Sequence, residues 1–337
     1  MVYTEELQAL RDTVRGLLAH ESEATVWKRL CGEVGAAGLL IPEEYGGLGA
    51  SLAAVHVVFA ELGRALTPCP LLGSAVLAAQ AILAAGDEDA CRRLLPGIAS
   101  GTTVAAMAWA GPDGRWDPQL AAVSTVDGLL TGAAHYVLDG AAAGVLIVVA
   151  RTADGLGLFE VDPTQSAVRV EPTPTMDLTR PLATVHLTGA TGRHLGPASG
   201  LGHVRDVACV ALAAEQAGAA RRCLELTVEH TKSRHQFGRP LGSFQALKHR
   251  MADMYVLVET AESAALAATT AEDLPLAAAV AKTHCSEAFQ AVAAEMIQLH
   301  GGIAITWEHD AHRYFKRAHG SAQLLGQPRE HLARLTG

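Results

Sequence analysis

An α+β fold in three consecutive parts is predicted by two changes of texture along this 337-residue chain. Helical periodicity dominates the first third. Short β-rich segments with turn dipeptides follow, and long amphipathic stretches then run to the C-terminus. The expected order is an N-terminal helical domain (1–105), a middle β-barrel or sandwich domain (106–200) and a C-terminal four-helix bundle (201–337).

In the first part, Glu5 to His20 places Leu7, Leu10, Val14, Leu17 and Leu18 at helical spacing. Trp27 to Leu40 and Leu52 to Leu66 repeat the pattern. Between them, IPEEYGGLGAS (Ile41 to Ser51) carries Pro42 and three glycines and reads as a tight structural loop. In the second part the candidate strands are Val145 to Ala150, Gly157 to Val161, Ala167 to Val170 and Thr184 to Leu187. Turn signals Asp127-Gly128, Asp139-Gly140 and Asp154-Gly155 punctuate them. No G-x-G-x-x-G links a strand to a helix, so a Rossmann site is not expected. In the third part, helices are predicted over Val207 to Thr231, Ser243 to Thr270, Leu274 to His300 and Trp307 to Ala318. Asp273 is placed to cap the third, with Pro275 in its first turn. Arg329 to Arg334 reads as a solvated helix end.

Composition narrows the function classes. A net charge of −9 argues against general nucleic-acid binding. No uncharged apolar run reaches the roughly 18 residues of a membrane span, and no charged-then-apolar leader opens the chain. The six cysteines are scattered without a C-x-x-C pair and read as reduced residues of a cytoplasmic protein. His309 and His312 stand three apart, but with no third ligand at a convincing spacing they read as solvated or capping residues, as does His319.

Two segments carry chemistry: RHQFGRPLGSFQALKHRMADM (Arg234 to Met254) and QLHGGIAITWEHD (Gln298 to Asp310). An arginine can bind phosphate bidentately, a phenylalanine can pack on a ring, and paired glycines permit close backbone approach. Taken singly, Arg234 reads as a helix-end cation and Gly301-Gly302 as a helix C-cap; together they point to a dinucleotide. They closely resemble two signature segments of the acyl-CoA dehydrogenase family, whose members are FAD enzymes. The loop Ile41 to Ser51, the stretch ELGRALTPCP (Glu61 to Pro70) and the helical–β–helical order fit the same family nearly over the whole length. The resemblance implies that Arg234, Gln236, Phe237, Gln298, Gly301 and Gly302 reach across a subunit interface to the adenosine-pyrophosphate end of a neighbour's FAD. One departure is Ala304, where the family usually has glycine.

The same resemblance exposes three losses. The family's catalytic glutamate precedes a glycine; counting from Gly301-Gly302, that pair falls on Leu325-Gly326. An alternative base site on an earlier helix falls near Ala208. Nearby Asp206 and Glu215 are carboxylates, but each reads first as a helix-surface or interhelix partner, and Asp206 also as a helix cap. A family threonine that faces flavin N5 aligns with Leu138 in HYVLDG (His135 to Gly140). A further stretch, AMAWAGPDGRWD (Ala106 to Asp117), lacks the family's threonine and glutamate. The expected function is therefore a non-catalytic subunit of a heterotetrameric acyl-CoA dehydrogenase, resembling the smaller subunits of actinobacterial steroid side-chain complexes. Its expected partners are a fuller homologue, an acyl-CoA and electron-transfer flavoprotein. Two other readings stand beside it: a self-sufficient enzyme using Asp206 or Glu215, and a flavin-free acyl-CoA or partner-binding scaffold.

Overall fold

The computed structural model describes residues 4–20 and 23–336. Helices α1 (Glu5–His20), α2 (Glu23–Arg29), α3 (Leu52–Ala65), α4 (Ala79–Ala85) and α5 (Glu88–Ala99) come first. The stretch expected to be one helix from Trp27 to Leu40 is broken. After α2 it makes a π-turn (Leu30–Val34) and a 3-10 turn (Ala36–Gly38), because Gly35 between them takes φ 70°. That conformation ends a right-handed helix. The Ile41–Ser51 loop holds only one short 3-10 turn, Glu43–Tyr45.

Eight strands follow: β1 (Ala105–Ala108), β2 (Val123–Val126), β3 (Leu129–Leu138), β4 (Val145–Thr152), β5 (Gly155–Val161), β6 (Val168–Pro172), β7 (Leu182–Ala190) and β8 (Arg193–Pro197). They form one mixed sheet in the order β6-β7-β3-β2-β4-β5-β8, with β1 also paired to β4. Both β1 and β2 run parallel to β4, and the other neighbours are antiparallel. Asp127-Gly128 makes the β2–β3 hairpin turn with both residues at positive φ, the geometry that suits strand twist.

Strand β4 shows why the sheet is central. Val145, Ile147 and Val149 face the large core shared with the helices, whereas Leu146, Val148 and Ala150 face a separate core within the sheet. Burial on both faces explains its unbroken apolar run. Strands β1, β2, β3 and β8 escaped sequence detection; β3, for one, is rich in alanine, glycine and threonine and mixes exposed with buried positions.

The C-terminal part is α6 (Leu201–Ser233), a tight hairpin of β9 (His235–Gln236) and β10 (Arg239–Pro240), then α7 (Gln245–Ala267), α8 (Leu274–His300), α9 (Ala311–Gln323) and α10 (Pro328–Thr336). Asp273 caps α8 as expected, its Oδ1 accepting from the Leu276 N–H at 3.0 Å. Helix α6 begins earlier than its apolar pattern, and α9 begins later, leaving Trp307 and His309 outside it. The C-terminal end is largely solvated as expected, with Arg329, Leu332 and Ala333 exposed, but it buries His331.

Helices α3 and α6 nearly touch. A Cβ on Gly63 would lie 1.9 Å from the Glu215 carbonyl oxygen, and one on Gly218 would lie 2.0 Å from that of Ala60. No other residue allows this approach, which clamps the N-terminal helices onto the bundle. The middle of α6, Val207 to Ala220, is buried on every side.

Candidate functional site

The two signature segments meet at one end of the bundle. His230, in the last turn of α6, stacks on His300, the last residue of α8, at 4.2 Å between ring centroids. His309 packs on His300 at 4.6 Å. The α6–α7 hairpin and the loop after α8 thus emerge side by side. Phe237 and Gly238 form the hairpin tip, both in the left-handed region (φ 54° and 76°). Phenylalanine pays for that conformation, and here it is 90% exposed, so folding of this chain gains little from it. Ile303, Ile305 and Trp307 are exposed nearby in sequence to Gly301-Gly302. Arg234, Gln236 and Gln298 are exposed, and nothing lies within 4 Å of a Cβ built on Gly301 or Gly302. Ala304 is fully buried in the bundle core, so its methyl group does not obstruct this surface.

Leu138 lies at the opposite kind of place. It is 3% exposed and borders a cavity of about 20 Å³ between α3, the sheet and the bundle, with room for about one water. Polar groups fill the surroundings. Arg317 on α9 is 2% exposed and donates from Nη1 to Glu215 Oε1 at 2.7 Å. Its Nε lies 2.7 Å from Asp177 Oδ2, and its Nη2 donates to the Thr179 carbonyl at 2.9 Å. Arg180 donates to the same Glu215 Oε1 at 2.6 Å. Burial pushes the Glu215 carboxyl up, but Arg180 and Arg317 outweigh it and hold it below the usual range.

Among the described residues Asp139, next to Leu138, has no such direct partner. Burial raises its carboxyl to about 7, against the pull of Arg180 and Arg317. Its folded pKa therefore exceeds its unfolded value, so this group's stabilising contribution is lost as pH rises from about 4 to about 7. Asp139→Asn is expected to flatten that part of the stability–pH curve. Urea unfolding at pH 5 and pH 7.5 would check it, and an unchanged slope would refute it.

The slot expected for the base holds a buried leucine whose loop borders a cleft of about 340 Å³. Leu325 is fully buried in the main core, at φ 61°, and Gly326 follows at φ 106°. The loop is held from below. Lys282, fully buried on α8, donates to the Ala322 and Gly326 carbonyls at 3.2 Å and to Ser286 Oγ at 3.0 Å. Burial lowers this ammonium to about 8. His331 Nε2 lies 3.0 Å from the Leu325 carbonyl.

Neither alternative carboxylate has the surroundings of a base. Asp206 lies inside α6, not at its cap, and accepts from Arg334 Nη2 at 2.6 Å. Glu215, expected at the helix surface or as an interhelix partner, is an interhelix partner, 4% exposed and shared by two guanidinium groups. Ala208 is buried. Of the histidines, His309 precedes α9 and accepts from the Ala311 N–H at 3.0 Å. His312 is buried against Trp307 rather than solvated, and His319 lies by Gln290. Among the described residues, no three His, Cys, Asp or Glu side chains are grouped to hold a metal ion.

Comparison with known proteins decides the family. Residues 4–102 match the acyl-CoA dehydrogenase N-terminal domain, and residues 206–328 match the acyl-CoA dehydrogenase C-terminal domain. The acyl-CoA dehydrogenase IpdE2 of Mycolicibacterium smegmatis is 45% identical, with 98% of each chain covered. This chain is an acyl-CoA dehydrogenase family member. A variant of the Tcur3481-Tcur3483 steroid ACAD superposes with TM-score 0.86 at 32% identity, covering 98% of this chain and 97% of that one. The ChsE4-ChsE5 complex from Mycobacterium tuberculosis superposes with TM-score 0.87 at 27% identity, covering 99% and 97%.

Acyl-CoA dehydrogenases are FAD-dependent oxidoreductases acting on CH–CH bonds, and the present residues fit that cofactor at one end only. A pyrophosphate needs guanidinium and amide donors with open backbone, which Arg234, Gln236, Gln298 and Gly301-Gly302 supply in kind. A flavin ring needs a slot, and the cavity beside Leu138 is far too small. Sequence reasoning missed Arg180, Lys282 and Arg317. A signal existed: Arg317 shares its buried stripe with Tyr314, Ala318 and Ser321, and Lys282 shares its own with Ala278, Ala281 and Cys285. A charge within an apolar stripe marks a buried polar centre.

Proposed function

We propose that this acyl-CoA dehydrogenase chain is the non-catalytic subunit of a heteromeric, FAD-dependent complex that desaturates a bulky, steroid-derived acyl-CoA thioester. The carrying observation is a contrast within one molecule. The space beside Leu138 is closed by the Glu215–Arg317–Arg180 cluster, and Leu325 is sealed in the core. Yet Phe237 stands 90% exposed on a strained hairpin tip beside Arg234 and Gln236. In this reading Arg234, Gln236, Phe237, Gln298, Gly301 and Gly302 complete the FAD site of a fuller homologue, which supplies the flavin-ring pocket and the base. The chain itself binds and orients the cofactor's phosphate end and moves no proton. Losing half the active sites leaves volume for a large acyl group. Electron-transfer flavoprotein is the expected acceptor, and the cytoplasm the expected location, in keeping with six unpaired cysteines. The names of the steroid ACAD and of the ChsE4-ChsE5 complex support the heteromer and the substrate class.

The test is the flavin-to-protein ratio of the purified chain, alone and co-expressed with its nearest fuller homologue. The chain alone is expected to be colourless, with flavin appearing only in the complex. A ratio near one FAD in the isolated chain would sink the proposal. A preference of the complex for short linear acyl-CoAs would overturn its substrate part.

A further inference from the structure

Three imidazoles meet where the two signature segments leave the bundle. His230 comes from the last turn of α6, His300 is the last residue of α8, and His309 stands in the loop before α9. Their rings form a continuous stack, with His300 in the middle at 4.2 Å from His230 and 4.6 Å from His309. Hydrogen bonding holds two of the three in the neutral form. The Met296 carbonyl lies 2.8 Å from His300 Nδ1 and can only accept, so Nδ1 carries the proton. His300 Nε2 is then a buried lone pair, and among the described residues it has no hydrogen-bond partner. His309 Nδ1 accepts from the Ala311 N–H at 3.0 Å, so its lone pair already serves the first residue of α9.

Neither ring receives a proton easily. On His300 it would be a buried charge without an acceptor, between two other imidazoles. On His309 it would remove the lone pair that serves Ala311 and place a positive charge at the positive end of the α9 dipole. The surrounding charges do not compensate. Arg234, at the hairpin root, acts on His230 and is itself positive. On α9, His312 stands beside Arg313 and Lys316, and Asp310 is exposed and pairs with Arg313 Nη1 at 3.1 Å. Among the described residues no carboxylate pairs with any of the three. Burial and its two stacked neighbours lower the His300 imidazole to about 4, and burial, His309 and Arg234 lower that of His230. Both therefore lie below the ordinary 6.5, so stability at the stack is lost progressively as pH falls below that value.

We infer that the His230–His300–His309 stack is a proton-operated latch on the two signature segments. Neutral, it holds the α6–α7 hairpin and the loop after α8 side by side. Protonated, its rings repel, the segments part, and whatever they hold between them is released. The inference concerns the roots of the two segments and holds whether or not their tips complete a partner's FAD.

The test is hydrogen exchange of the full chain at pH 7.5 and pH 5, corrected for the intrinsic effect of pH on exchange. Amides of 235–244 and 301–311 are expected to exchange about tenfold faster at pH 5, since one proton taken up on opening shifts the equilibrium by up to about tenfold per pH unit. Strand β4 is the control and is expected not to respond. His309→Asn keeps a side-chain oxygen for the Ala311 N–H but does not titrate. His300→Phe keeps an aromatic ring in the stack. Both variants are expected to stay protected at pH 5. Equal corrected rates in the native chain would overturn the inference, as would an undiminished acid response in both variants or a loss of protection that extends equally to β4.

Discussion

Arg234→Ala is expected to strip FAD from the assembled complex while leaving the fold of this chain intact. Arg234 is exposed at the end of α6, and its structural contribution comes from its backbone. Its N–H donates to the His230 carbonyl at 2.8 Å, and its carbonyl accepts from the Leu241 N–H at 2.8 Å. Alanine preserves both. If the guanidinium binds a partner's pyrophosphate at a buried interface, its removal costs about 2–4 kcal/mol, or roughly 30- to 1000-fold in retention. The check is flavin absorbance of the co-purified complex after dialysis, together with the melting midpoint of the isolated chain. Full flavination and full activity in the variant would instead favour a scaffold that binds a partner or acyl-CoA without completing a redox site.

Glu215→Ala is expected to have the largest effect on stability, about 3–5 kcal/mol, because it leaves two buried guanidinium groups without their shared carboxylate. Arg317 keeps Asp177 and Thr179, but among the described residues the Arg180 side chain hydrogen-bonds only to Glu215. Denaturant unfolding measures the loss, and a change under about 1 kcal/mol would contradict the cluster's role as a structural plug. The pH dependence has a definite sign. The folded pKa of Glu215 lies below its ordinary value of 4.5, so its contribution is present above that pH and is lost as pH falls through the folded pKa. Glu215→Ala should therefore lose least in strong acid. This window lies below the one set by Asp139, where stability falls as pH rises, so the two are separable.

Much of this molecule is legible in the chain itself. The helical–β–helical order follows from hydrophobic periods of 3.6 and 2, which are local properties. The Asp273 cap and the Asp127-Gly128 turn follow from residue chemistry at single positions. The signature segments are contiguous, so Arg234, Gln236, Phe237, Gln298, Gly301 and Gly302 could be named as candidates without coordinates. The absence of an acid beside Gly326 is likewise a fact of sequence.

Burial of charge is not local, and there the pattern misleads. Asp206 and Glu215 read equally as helix-surface carboxylates or interhelix partners, and only the fold brings Arg334 of α10, Arg180 before β7 and Arg317 of α9 onto them. The Glu215–Arg317 contact joins residues 102 positions apart. It lies beside the close α3–α6 approach at Gly63 and Gly218, which no periodicity announces. The C-terminal end is largely solvated as read, and only His331 turns inward, to the Leu325 carbonyl. Periodicity and motif alone determined the helical–β–helical order and the candidate residues for a cofactor's phosphate end. Only the tertiary structure decided that the space beside Leu138 is shut and that His230, His300 and His309 stack, because long-range packing selects which side chains meet.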